Sequence, residues 1–275
     1  MRSPRQIFED NIRPADLLLQ VYRLLDTNDH LQTEGELVEA LRAVVKANAK
    51  EDLMLVYNEI FLGLVRENAR MPTSTLKRVT LSHLLRQSIV VTCTALETFL
   101  PALLRANLPV VIRAKGRDFI PITDGEIVGY FKDLNFSLDE TLRLVGETTR
   151  TNSDAYASEF ISNKILGLIK FQYITGAKGV TLVGKLLGLD NPWDRISEHL
   201  TREKKELKEI LEITVDRRND IAHRADSSKE DPEGDPQEIS FSWTMQSVDT
   251  VQHVCNALHE LVEARIKELE TAIAA

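Results

Sequence analysis

Glycine and proline are scarce in this chain, twelve and nine among 275 residues, so loops are a minor part of it. Aromatic residues are only 6%, and the apolar set is mostly Leu, Ile, Val and Ala, a helix-forming palette. Only two cysteines occur, Cys93 and Cys255, in the apolar contexts "VVTCTALE" and "VQHVCNALHE". That excludes a disulfide framework and reads as buried free thiols. The opening "MRSPRQIFEDNIRP" has no apolar core of a signal peptide, and no apolar run reads as a membrane span. A reducing cytoplasm is the resulting expectation, with no membrane partner.

Chemical signatures are missing too. There is no His-Glu-x-x-His, no cysteine pair at zinc spacing and no Gly-x-Ser-x-Gly, so neither a metal site nor a serine nucleophile has support. No cofactor is expected. "GVTLVGKL" (179–186) has the spacing of a phosphate-binding loop. Leu186 stands where the magnesium-holding Ser or Thr belongs, and the flanks read as helical, so it is a decoy. Excess acid gives a net charge of −8, which argues against nucleic-acid binding by the whole surface but not against a local basic groove.

What is present, 43% hydrophobic and 28% charged, is the composition of a folded chain long enough to bury a core. Helices are expected over "PADLLLQVYRLLD" with Pro14 in the first turn, then over "TEGELVEALRAVVKANA" and "EDLMLVYNEIFLGLVRENA". After a break at 69–78, with Thr73 or Ser74 as a cap, a long helix is expected whose middle, 84–104, is apolar nearly all round. Glu97 is the lone acid in it, either paired or at an edge reaching water. "VVIRAKGRDFIPITDGE" reads as loop with a short strand, and "LDETLRLVGETTRTNSD" and "DAYASEFISNKILGLIKFQ" as helices. One long helix is expected from Pro192, capped by Asn191, through "VDRRND". "SSKEDPEGDPQE" is loop, "ISFSWTMQ" a short strand, and an amphipathic helix closes the chain.

The stretch "RRNDIAHRAD" gathers Arg217, Arg218, Asn219, Asp220, His223 and Arg224. The plain account is a solvated helix end, whose basic residues suit the helix dipole. The chemical account starts from Arg218-x-x-x-x-His223. RNA carries its own nucleophile, the 2′-hydroxyl, so cleavage needs proton transfer and positive charge on the phosphorus transition state, not a metal. Histidine titrates near neutral pH, and arginine forks onto phosphate oxygens. Residues five apart on a helix lie about 140° round its axis. Either the helix bends or ends at the motif, or a second copy of the chain completes the site.

"RRNDIAHRAD", the helix leading into it, the polar loop after it and the long last helix together resemble the HEPN superfamily. The apolar helix "RQSIVVTCTALETFLPALL" resembles the first core helix of its RiboL-PSP-HEPN branch. The resemblance implies an all-α HEPN-like bundle over 76–275, with 1–75 as an N-terminal helical extension packed on it. It also implies catalytic roles for Arg218 and His223, with Asn219 as the polar neighbour and Glu97 as the acid of the early helix. It further implies a metal-independent endoribonuclease, a homodimer, and a toxin–antitoxin or anti-phage setting with a possible antitoxin or defence partner. Some members of the superfamily bind without cleaving, so a non-catalytic module for RNA, a nucleotide or a protein is the rival. A structural subunit of a defence or repair complex is a third reading. RNA contacts are expected from Arg217, Arg224, Lys164 and Lys170. Two stretches without acids, 98–117 and 160–189, offer a groove through Arg105, Arg113, Lys115 and Arg117 and through Lys164, Lys170, Lys178 and Lys185. Gly176, Gly179 and Gly184 in the second allow close backbone approach.

Overall fold

The computed structural model describes residues 2–26, 31–32, 35–44, 46, 53–57, 62–66, 78–116, 119, 135–151, 154–169, 174–227 and 236–274. Among these residues there are nine helices: α1 (Pro4–Asp26), α2 (Glu36–Val44), α3 (Arg78–Lys115), α4 (Leu138–Thr151), α5 (Asp154–Leu168), α6 (Gly176–Leu186), α7 (Pro192–Leu200), α8 (Lys204–Arg224) and α9 (Phe241–Ala274). One small antiparallel sheet, order β1-β2-β3, joins β1 (Leu31–Gln32), β2 (Leu53–Tyr57) and β3 (Leu62–Arg66). From Arg78 onward every described element is helical, and the fold class is all-α.

The helix expected over 51–69 is instead a hairpin, with Leu53 opposite Arg66 and Tyr57 opposite Leu62. Short Leu-Val runs fit either conformation, and strand pairing decides between them. Pro14 lies inside α1 and not in its first turn. The true start is a capping box, in which the Ser3 hydroxyl accepts from the Gln6 N–H at 3.2 Å and Gln6 Oε1 accepts from the Ser3 N–H at 3.1 Å. α3 continues past two internal prolines, so Val110–Lys115, read as loop or strand, is its last part. By length and composition, Leu81–Lys115 is also apolar enough to cross a membrane, contrary to the sequence reading, yet 56% of its 18-residue apolar window is buried in the fold.

The single helix expected from Pro192 is two, α7 and α8, parted where Thr201 adopts a left-handed φ of 52°. Asn191 holds the cap position, but its side chain makes no cap hydrogen bond. The strand expected at 239–246 is a loop end followed by α9, whose first turn is capped by Ser240 accepting from the Trp243 N–H at 3.2 Å. The phosphate-loop decoy is helix α6 throughout. The loop around Pro232 and the caps proposed at Thr73 and Ser74 lie outside the described residues.

The chain forms two compact units from interleaved segments. The first takes Met1–Ile12, Thr92–Asn219 and Asp249–Ala275, and the second Arg13–Val91 and Asp220–Val248. The expected boundary between residues 75 and 76 falls inside the second unit.

In the first unit, Phe99, Leu100, Leu103, Leu104 and Leu108 of α3 are buried, and Phe99 meets Phe8 of α1 at 5.3 Å between ring centroids. Asn11 Nδ2 donates to Thr98 Oγ1 at 2.8 Å, tying α1 to the same helix. Trp193 of α7 donates from Nε1 to Thr181 Oγ1 at 3.0 Å, which satisfies its one polar atom against α6. In the second unit, Ser88 Oγ donates to the Ala15 carbonyl at 3.1 Å, and Tyr22 stacks on Phe241 at 5.8 Å. Buried Arg86 donates from Nε to Asp226 Oδ2 at 2.5 Å, from an Nη to Ser82 Oγ, and from the other Nη to the Gln237 carbonyl at 2.7 Å.

Candidate active site

α8 runs unbroken through the whole motif and ends one residue beyond His223. Of the alternatives open from the sequence, the helix ends at the motif and does not bend between Arg218 and His223. Ala225 and Asp226 turn left-handed, with φ of 50° and 69°, and the Asp226 N–H reaches back to the Asp220 carbonyl at 3.0 Å. The two compact units divide α8 between Asn219 and Asp220, which leaves Arg218 in the first unit and His223 in the second.

Arg218 and Glu97 are brought together as an ion pair between α8 and α3. Both are half-buried, with 20% and 32% of their side chains exposed, so Glu97 is a paired acid and not a free edge residue. The register is simple. Cys93 and Glu97 are one helical turn apart on α3, as are Thr214 and Arg218 on α8. The Cys93 thiol donates to the Thr214 carbonyl at 3.8 Å, which sets the turn below the ion pair. Burial pushes this thiol up to about 11, against the opposing pull of the Arg218 guanidinium beside it. Pro101, one turn beyond Glu97, has no N–H to offer the Glu97 carbonyl.

Asn219 is half-buried on α8. His223 is exposed in the last turn. Next to it Arg224 pairs with Asp220 along the helix. Arg217 is half-buried.

Of the other expected RNA contacts, Lys164 of α5 is already engaged: its Nζ lies 2.6 Å from Glu140 Oε1 and 5.8 Å from the Phe136 ring centroid. The Lys164 hydrogen bond holds the Glu140 carboxyl below its ordinary value. Lys170 and Arg117 lie outside the described residues.

Both cysteines are free and buried, as read from their contexts. Burial alone pushes Cys255 well above its ordinary value. With no metal-ligand spacing, the sequence reads its histidines as ordinary surface or edge residues, and His259 departs from that. It is buried, edge-on to Phe99 at 6.4 Å, and burial first of all lowers its pKa. Among the described residues no group of three His, Cys, Asp or Glu side chains is placed to hold a metal ion.

The sequence missed Cys93 and Thr214 as neighbours of Arg218. The one available signal was the matching four-residue spacing, Cys93 to Glu97 and Thr214 to Arg218.

These features define an all-α domain whose Arg-x-x-x-x-His pair lies at the end of the helix before the last, with the arginine held by an acid of the central helix. Residues 65–264 match the family model described as RiboL-PSP-HEPN, and the chain belongs to that family. No curated protein and no solved structure matches it.

Proposed function

We propose that the protein is a metal-independent endoribonuclease that cleaves RNA by attack of the 2′-hydroxyl on the adjacent phosphorus. The observation that carries the reading is the Arg218-x-x-x-x-His223 pair on α8, in a chain of this family, with Arg218 oriented by Glu97. His223, exposed at the helix end, exchanges the protons. It accepts the 2′-hydroxyl proton or protonates the leaving 5′-oxygen, while water or a second copy of the motif serves the other step. Arg218 forks onto the non-bridging phosphate oxygens as charge builds there, and Glu97 holds its plane until substrate arrives. Asn219 supplies a polar contact beside it. A cytoplasmic homodimer presenting two motifs, in a toxin or anti-phage role, is the setting that suits so small a functional set.

A second reading keeps the same residues as a binding pocket without cleavage. It is favoured by the neutralisation of Arg218 by Glu97 in the free protein. One experiment separates the two. Purified protein is incubated with single-stranded RNA in excess chelator. Products with 2′,3′-cyclic phosphate and 5′-hydroxyl ends, lost in a folded His223→Ala variant, are expected. RNA that is bound but left intact supports the pocket, and strict magnesium dependence sinks the scheme.

A further inference from the structure

Three large apolar side chains of one helix in the first unit stand in the open. Leu138, Leu142 and Val145 of α4 are 75%, 63% and 58% exposed. Spacings of four and three put them in one line along the helix, and Thr149, exposed four residues further on, continues it. The Thr149 hydroxyl donates to the Val145 carbonyl at 2.8 Å and so needs nothing from a neighbour. α4 is seated on α5 by its opposite side. There Glu140 takes Lys164 at 2.6 Å, and Phe136, just before the helix, stacks on Phe160 at 6.2 Å between ring centroids. A line of this spacing ordinarily serves burial, and here it faces water.

We propose that a second copy of the chain covers this line, α4 against α4, with the two helices antiparallel. The order of the line carries the choice of occupant. Its spacings, four, three and four, read the same from either end. A two-fold axis crossing α4 between Arg143 and Leu144 therefore sets Leu142 against the partner's Val145, and Leu138 against the partner's Thr149. Alternating spacings of four and three are those of a left-handed helix pair.

Charge favours the same direction. Round the helix, Asp139 and Arg150 flank the line on one side, and Thr141 and Thr148 on the other. Arg143 lies further round, turned away from the partner. In an antiparallel two-fold pair each flank meets its own copy. Asp139 then lies within a turn of the partner's Arg150, and the contact is made twice. Arg150 holds Glu147 through Nε and Nη2, and its other Nη is left for an acid from outside. Parallel helices would set Asp139 against the threonine flank. The Thr141 hydroxyl already donates to the Ser137 carbonyl at 2.9 Å and could not answer it.

The face is small. Fourteen residues make a helix about 21 Å long. Two such helices bury less than about 1,200 Å², the low end of specific interfaces, so a reversible micromolar dimer is expected. The pairing supplies a surface for the homodimer of the functional reading, but it does not depend on cleavage.

The test is sedimentation velocity of the full chain over a concentration series through the micromolar range. A concentration-dependent dimer is expected. Leu142→Glu and the milder Val145→Gln, both at exposed positions, should weaken it about tenfold or more and leave the melting temperature of the monomer unchanged. Direction is read by mixing chains carrying Leu138→Cys with chains carrying Thr149→Cys under mild oxidation. The native cysteines are buried and do not interfere. A disulfide between the two kinds of chain is expected. Leu138→Cys alone should give none, since its two copies stand about 16 Å apart along an antiparallel pair. A disulfide between two Leu138→Cys chains overturns the antiparallel pairing. A monomer at every concentration overturns the proposal, and a melting temperature lowered by Leu142→Glu in that monomer would show that the same chain covers the face. A dimer left intact by both variants overturns it too, since another surface then joins the copies. If the chain leaves RNA uncut yet pairs through α4, the functional reading fails and the face stands.

Discussion

Arg218 decides between a working guanidinium and a decorated helix end, and lysine is the substitution that separates them. Lysine at 218 keeps a positive charge beside Glu97, so the half-buried pair survives and the melting temperature is expected to move little. It cannot reproduce two parallel hydrogen bonds to phosphate. Cleavage by Arg218→Lys is therefore expected to fall on the order of 10²-fold or more, the loss seen when an oxyanion donor is removed. Arg217→Lys, one position round α8, is the control and should stay near the parent rate. Equal, small effects at both positions would return the segment to the helix-end account. The motif itself was legible because it is contiguous. Glu97 stood out as the lone acid of its helix and through the family resemblance, but its pairing with Arg218 was not legible, since 121 residues separate the two and only packing of α3 on α8 brings them together.

At the scale of elements, the contact of α6 with α7 turns on one missing side chain. A Cβ at Gly184 would stand 2.6 Å from Cγ and 2.7 Å from Cβ of Pro192, too close for a rigid ring to yield. Gly184→Ala is expected to destabilise by about 1–3 kcal/mol. Gly146→Ala, in exposed α4 with nothing within 4 Å, should stabilise by about 0.5–1 kcal/mol. Denaturant titration of both variants checks this, and equal effects would refute it. The glycines were read from sequence as openings for a ligand. For Gly184 the close approach is real, but a proline of the next helix makes it. The long helices α3 and α9 were legible from their apolar patterning. The break at Thr201 was not, because a threonine in the left-handed region leaves no glycine to mark it. The β2–β3 hairpin was missed for want of any period in runs of leucine and valine.

For the molecule as a whole, pH acts through His259. Burial favours its neutral form, with Arg5 adding to the effect and Glu263, Glu260 and Glu9 opposing it. The unfolded chain protonates this histidine near its ordinary 6.5 and the folded chain only at lower pH. Its contribution is thus intact above about 6.5, falls as pH drops toward the folded value, and levels off below it. Melting temperature is expected to decline between about pH 7.5 and 5.5, and less steeply in His259→Gln. Parallel curves for parent and variant would remove His259 from the acid response. Nothing in the sequence marked this histidine out, since Phe99 of α3, against which it packs, and Arg5 and Glu9 of α1, whose charges it feels, lie far along the chain.

Because Arg86 grips Ser82, Asp226 and the Gln237 carbonyl at once, both ends of the segment from Ser227 to Pro236 are tied to one buried guanidinium. The entropy of closing a loop grows slowly with length, roughly 0.6 kcal/mol for each doubling. Insertions and deletions between those ends should therefore be cheap, while the end of α8, and His223 on it, keeps its place. Arg86 thus uncouples the length of the stretch after Ser227 from the seating of the helix end, and the one can change between related chains without the other.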